Sequence, residues 1–194
     1  MSLIFKEETH SYTLENIPVL SVTQALDEAG VTKYWEGGNQ KPYYLLKGSG
    51  LHLAIQWHLK GILGDPGQFG KQVDAFKKFT KDVGFVAKDI EMRVFSKKMW
   101  YAGTLDITGS VFGDFSIIDL KSETYNHWYE LQTAAYFTAY NEMFPKCKLK
   151  RRFILNLKQD GSYKLTENKC STDISVFYGC LVVANYQKKK GSKL

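Results

Sequence analysis

Asp106, Asp119 and Lys121 stand inside "GTLDITGSVFGDFSIIDLKS", residues 103–122, where aliphatic side chains alternate with small or polar ones as in a buried hairpin. Charged groups in such a place cost free energy unless they are paired or bind a metal. With Gly113-Asp114 as a two-residue turn, Phe112 sits opposite Phe115, Ser110 opposite Ile117, Thr108 opposite Asp119, and Asp106 opposite Lys121. Opposed side chains share a sheet face, so Asp106, Asp119 and Lys121 project together. Leu105, Ile107, Val111, Ile118 and Leu120 then fill the other side. The two aspartates become diagonal neighbours about 7–8 Å apart. At that range they can lean toward one divalent cation, and hard oxygen donors suit Mg²⁺ or Mn²⁺ rather than zinc. Lys121 could hold a phosphate oxygen or a metal-activated water. The plainer alternative is an Asp–Lys pair closing a sheet edge.

Other residues fit the same chemistry, each with a bland alternative. Glu91 lies on the preceding strand and could supply a third carboxylate, or simply face solvent. Gln132 and Tyr136 are four apart on the following helix and share one face; such a pair also suits a core boundary. His52 follows a "GSG" turn at the start of a helix, off or at the edge of its apolar stripe, as a ligand or as a packed histidine.

The elements that must position these residues are legible as patterns. Residues 3–20 read as a hairpin turned near Glu15–Asn16, and "SVTQALDEAG" as a short helix capped by Ser21 or Thr23. Residues 31–47 are aromatic and irregular. Helices are expected over 48–61, with Leu51, Ile55 and Leu59 on one stripe, and over 71–83, with Val73, Phe76 and Phe79 inward. A strand over 89–96 precedes the central hairpin. A helix over 128–143, a hairpin turned at Asp160-Gly161 and a helix over 172–187 complete a mixed α/β layer fold.

The 194 residues suffice for one domain, read as 1–194 with an N-terminal embellishment over 1–47 and a basic tail over 188–194. No stretch approaches about 20 consecutive apolar residues, so no membrane span is expected. The start lacks the basic and apolar regions of a signal peptide, and Cys147, Cys170 and Cys180 lack metal-ligand spacing. Reduced thiols in a cytosolic protein are expected. The net charge of +6 is concentrated at the end: without Lys188, Lys189, Lys190 and Lys193 it falls to +2. Lys146, Lys148, Lys150, Arg151 and Arg152 form the better candidate for a phosphate-contacting patch, unless they are only a solvated run. The final Ser192-Lys193-Leu194 also matches a peroxisomal address, a cheap match in a lysine-rich tail.

The ordered set "GSGLH", Glu91, "GTLD", "IIDLKS" and "QTAAY" resembles the PD-(D/E)xK nuclease superfamily, specifically the branch of the RecB nuclease domain and, more distantly, lambda exonuclease. The resemblance covers about residues 48–140, and "IPVLSVTQAL" looks like the start of phage-type members. Leu105 stands where the motif has its proline. The resemblance implies a restriction-endonuclease-like core with a central mixed sheet flanked by helices. It implies Mg²⁺ held by Asp106, Asp119, His52 and the Leu120 carbonyl, with Glu91 binding through water or a second ion. Lys121 would position and help activate the attacking water. Gln132 and Tyr136 would orient Lys121 and contact DNA, alongside Ser49 and Ser122 of the quoted motifs and Arg151 and Arg152 of the basic cluster. The implied activity is a Mg²⁺-dependent DNA exonuclease of phage or bacterial recombination or repair, cytoplasmic, with a homo-oligomer or recombination partner possible. A structure-specific endonuclease and a catalytically inactive DNA-binding module are the alternatives. Tyr34, Trp35, Tyr43 and Tyr44 could stack on unpaired bases, or pack. Some relatives carry an iron–sulfur cluster; three cysteines fall short of the four thiolates it needs, and none is expected here.

Overall fold

The computed structural model describes residues 2–32, 41–62, 64–122 and 125–191, and of residues 41–47 the backbone alone. The order is β1 (Leu3–Lys6), β2 (Ser11–Leu14), β3 (Ile17–Ser21), α1 (Val22–Glu28), α2 (Lys41–Leu59), α3 (Gly70–Val83), β4 (Val86–Ser96), β5 (Tyr101–Val111), β6 (Asp114–Lys121), α4 (Trp128–Met143), β7 (Arg151–Leu157), β8 (Tyr163–Glu167) and α5 (Asp173–Lys190). The eight strands form one mixed sheet in the order β1-β2-β3-β5-β6-β7-β8, with β4 paired to β5. β3 with β5 and β6 with β7 are parallel; the other pairings are antiparallel. The mixed α/β expectation holds.

Helices cover both faces because each offers an apolar stripe. On one side Ala25 and Leu26 of α1, Ala135, Tyr136 and Tyr140 of α4, and Phe177 and Leu181 of α5 bury against Val94, Tyr101, Leu105 and Ile117. On the other, Leu51 and Ile55 of α2 and Phe76 and Phe79 of α3 meet Ile107, Ile118, Leu120, Phe153 and Leu155. At 14 residues α3 is marginal as an isolated helix, so its buried phenylalanines hold it. The opening of α1 is fixed locally: Gln24 N–H donates to Ser21 Oγ at 3.0 Å, and Ser21 N–H donates to Gln24 Oε1 at 3.0 Å. Ser21, not Thr23, is the cap.

The structure corrects four sequence expectations. The N-terminal hairpin turned at Glu15–Asn16 gains an extra strand, β1, and through β3 joins the main sheet at Tyr101–Ala102. The central hairpin turns at Phe112–Gly113, both with positive φ (51° and 83°), so Val111 pairs with Asp114 and Ile107 with Ile118. That shift is two residues, which preserves every face while changing partners. Leu105 does not share a face with Ile107: the two lie in opposite helix-covered clusters, so alternation breaks at Asp106.

Finally, α2 begins at Lys41, and "GSG" lies inside it. A Cβ on Gly50 would come within 2.7 Å of the Phe69 ring, whereas one on Gly48 would meet nothing within 4 Å. The glycine at 50 serves close packing, not helix initiation. Gly48→Ala is therefore expected to stabilise by about 0.5–1 kcal/mol, and Gly50→Ala to destabilise despite the same gain in helix propensity. Thermal unfolding of the two variants, moving in opposite directions by about 2–4 °C, checks this; a rise in both would refute the packing role.

Candidate active site

The site forms where β5 loses a neighbour. β4 pairs along one edge of β5, and the other edge is shared by β3 at Tyr101–Ala102 and β6 from Ile107 onward. Residues 103–106 lie between those partners. Asp106 bridges the gap: its Oδ2 accepts the Leu120 N–H at 2.7 Å. His52, on α2, takes the other end of the same residue, with Nε2 3.1 Å from the Leu120 carbonyl. Its Nδ1 faces Asp106 Oδ1 at 3.5 Å and Glu91 Oε1 at 3.7 Å.

Glu91 lies across from Asp106, between the ladder pairs Ile90–Ile107 and Met92–Leu105. Its φ of 50° is strained for a residue with a side chain, a cost of order 1–3 kcal/mol of the kind that concentrates at functional positions. One donor atom from each of His52, Glu91 and Asp106 lies within 4.8 Å of the others, a set that could hold a metal ion. Burial opposes charge on His52, but Asp106 and Glu91 outweigh it and raise the imidazole to about 9.

Asp119 and Lys121 form an adjoining pair. Lys121 Nζ lies 2.6 Å from Asp119 Oδ2, an ion contact without the alignment of a hydrogen bond. Asp119 is 1% exposed, and burial, reinforced by Asp106, pushes its carboxyl up against the pull of Lys121. For Lys121, burial disfavours the ammonium, yet Asp119 and Asp106 hold it protonated. The sequence register set Lys121 opposite Asp106 and the aspartates together on one cation. Asp119 and Lys121, two apart on β6, meet along one strand whatever the register, while Asp106, which still acts electrostatically on both, joins His52 and Glu91. The Leu120 carbonyl, implied as a metal ligand, orients His52.

One stripe of α4 roofs the pair. Gln132 Nε2 donates to the Tyr136 hydroxyl at 3.3 Å, and Gln132 Oε1 is buried without a hydrogen-bond partner among the described residues. A Cβ on Gly103 would come within 2.5 Å of the Tyr136 ring, so the glycine of "GTLD" admits that ring beside the site. Burial first, then Asp106 and Asp119, raise the Tyr136 hydroxyl well above its usual range. Sequence reasoning missed Tyr129, whose ring carries the Lys121 ammonium at 4.7 Å. Its spacing of three from Gln132 and seven from Tyr136 was the available signal.

The other residues expected to contact DNA divide between the margin of the site and β7. Ser122 is half-buried just after β6, and Ser49 is exposed on α2, three residues before His52. Arg151 binds Glu167 through Nε at 2.8 Å and a terminal nitrogen at 2.9 Å. Arg152 is the clearest departure: it is buried and donates to the Glu130 and Cys170 carbonyls and, at 2.8 Å, to Asp173. A guanidinium so enclosed anchors α4 and α5 to β7 rather than meeting a phosphate. Tyr34 and Trp35, the side chains of Tyr43 and Tyr44, and Lys193 with the terminal Ser-Lys-Leu lie outside the described residues.

No model of a known protein family matches this sequence, and no curated protein does. Among solved structures, a candidate exonuclease from Eubacterium rectale superposes with a TM-score of 0.53 at 12% identity, over 87% of this chain and 82% of its own. What the two share is the fold. An alkaline exonuclease from Laribacter hongkongensis aligns over 90% of this chain and 94% of its own at 16% identity, with a TM-score of 0.36. That superposition is too loose to carry an argument.

Arg152→Ala would strand the Asp173 carboxylate without its partner in a buried place. It is expected to cost about 3–5 kcal/mol, whereas Arg151→Ala, removing a half-exposed pair, should cost about 1 kcal/mol or less. Denaturant unfolding of both variants checks this; equal, small losses would return Arg152 to the candidate DNA contacts.

Proposed function

We propose that this chain is a metal-dependent deoxyribonuclease that hydrolyses phosphodiester bonds at DNA ends or in single strands, with Mg²⁺ as its ion and Mn²⁺ as a substitute. The observation that carries the reading is the convergence of His52, Glu91 and Asp106 beside the Lys121–Asp119 pair. Two carboxylates and one imidazole fit a small divalent cation with oxygen preference. A fold shared with a protein described as an exonuclease supports it. We place the enzyme in recombination or repair in a bacterial or phage-infected cytoplasm.

The bound ion would lower the pKa of a coordinated water and neutralise charge on the phosphate. Lys121, held by Asp119 and the Tyr129 ring, directs its ammonium at the attacking water or a non-bridging phosphate oxygen. Gln132 and Tyr136 keep α4 seated over that lysine. The water oxygen would bond to phosphorus in line with the departing oxygen as one water proton passes to solvent, the P–O bond would break, and the leaving oxygen would take a proton from solvent. No covalent intermediate with the chain is needed.

Because His52 is protonated up to about pH 9 without a cation, a divalent ion must displace that proton. Mg²⁺ binding is expected to release about one proton at neutral pH and to tighten about tenfold per pH unit between about 6.5 and 8.5. His52→Gln should flatten that dependence. Calorimetry in two buffers of different ionisation enthalpy, repeated across pH, measures both; pH-independent binding would remove His52 from the ligand set.

The activity test uses end-labelled linear DNA, single- and double-stranded, and a closed circle, with Mg²⁺, Mn²⁺ or EDTA. Metal-dependent loss of linear DNA alone, reduced about 10²-fold or more by Lys121→Ala and absent in Asp106→Asn, is the expected result. Cutting of the circle would identify an endonuclease. Binding indifferent to metal with no cleavage would identify a non-catalytic DNA-binding module.

A further inference from the structure

The chain holds three arginines. Arg151 and Arg152 are committed to Glu167 and Asp173. Arg93 has no carboxylate partner among the described residues, and its guanidinium is exposed 4.8 Å over the Phe5 ring. Phe5 is itself fixed, with Tyr12 at 4.7 Å and His10 at 5.1 Å between ring centroids. The Tyr12 hydroxyl bonds Thr104 at 2.8 Å, and Thr104 is the residue paired with Arg93 across the β4–β5 ladder. Backbone pairing thus sets the base of the Arg93 side chain, and the anchored ring sets its head.

The location matters. Arg93 lies two residues along β4 from Glu91, a separation of about 7 Å, at the edge of the imidazole–carboxylate cluster. Further along, Lys97 and Lys98 are exposed in the β4–β5 turn and extend the positive strip away from the site. A guanidinium is a planar fork matched to phosphate oxygens, and stacking on an aromatic face reduces the freedom it loses on binding.

Resting on the nuclease reading, we infer that Arg93, seated on Phe5, binds a phosphate of the substrate strand next to the one held for hydrolysis. The Lys146–Arg152 cluster, favoured by local charge density, is then not the main contact. Its arginines are neutralised internally, and Lys150 is paired with Asp114 at 3.1 Å.

The test is fluorescence anisotropy of a labelled single-stranded oligonucleotide with the full chain, across a salt series, with Ca²⁺ replacing Mg²⁺ to keep the strand intact. Arg93→Gln is expected to weaken binding about tenfold and to reduce the slope of log affinity against log salt by about 0.7, the value for one single-strand phosphate contact. Arg93→Lys should keep the slope while losing part of the affinity, and Phe5→Leu should do the same. Arg151→Gln should leave the slope unchanged. In Mg²⁺, Arg93→Gln should raise KM with kcat little altered. Parental affinity and slope in Arg93→Gln, or a loss with no change in slope, would overturn the inference while leaving the nuclease reading intact. No DNA binding by the parent protein would overturn both.

Discussion

The capture of a single peptide unit organises this molecule. A backbone N–H and C=O at the end of a buried strand must find partners, and Leu120 finds neither in the ladder at the gap in β5. Asp106 takes the N–H and His52 takes the carbonyl, which ties β5, α2 and β6 to one residue. The His52 Nδ1 then faces both Glu91 and the second oxygen of Asp106. The groups that could hold a cation are therefore also those that close the sheet, so their geometry is set by folding before any ion arrives.

Charge balance follows from that arrangement. Glu91, Asp106 and Asp119 bring three carboxylates together, against the His52 imidazolium and the Lys121 ammonium. Counted formally, that is one negative charge in excess; Asp106 and Glu91 raise the His52 imidazole against its burial, whereas burial itself, reinforced by Asp106, raises the Asp119 carboxyl. A divalent cation taking the place of the His52 proton would bring that formal sum to zero. Arg93 stays outside this balance, held to Phe5, and its charge remains directed outward.

The sequence displayed much of this and hid a definite part. Strong periodicity made α3, α4 and the β7–β8 hairpin legible to within a residue or two, because each buries one face against a core. The residue types of the site were legible as charges in otherwise apolar strands. What was not legible was the register of the central turn and the ladder break beside it. A two-residue turn placed at 113–114 instead of 112–113 keeps every face and reassigns every cross-strand partner, whereas the Asp119–Lys121 contact runs along β6 itself and needs no register. Arg152 read as surface charge because nothing local reveals Asp173, which reaches it only through the packing of α5.

The seam between the two cores explains why polar chemistry can sit at the centre of an otherwise apolar sheet. Leu105 belongs to the core under α1, α4 and α5, and Ile107 to the core under α2 and α3. Asp106 stands between them, buried where alternation breaks, with His52 of α2 and Tyr136 of α4 beside it from the two layers. The cost of enclosing that carboxylate is offset by the Leu120 N–H and the His52 imidazole. The strained Glu91 backbone opposite allows the departure from regular pairing. The fold tolerates that strain because each flank of the seam is anchored separately, by Tyr136 and Tyr140 on one side and Phe76 and Phe79 on the other. The irregularity that sequence patterns could not register is what sets Asp106 beside His52 and Glu91.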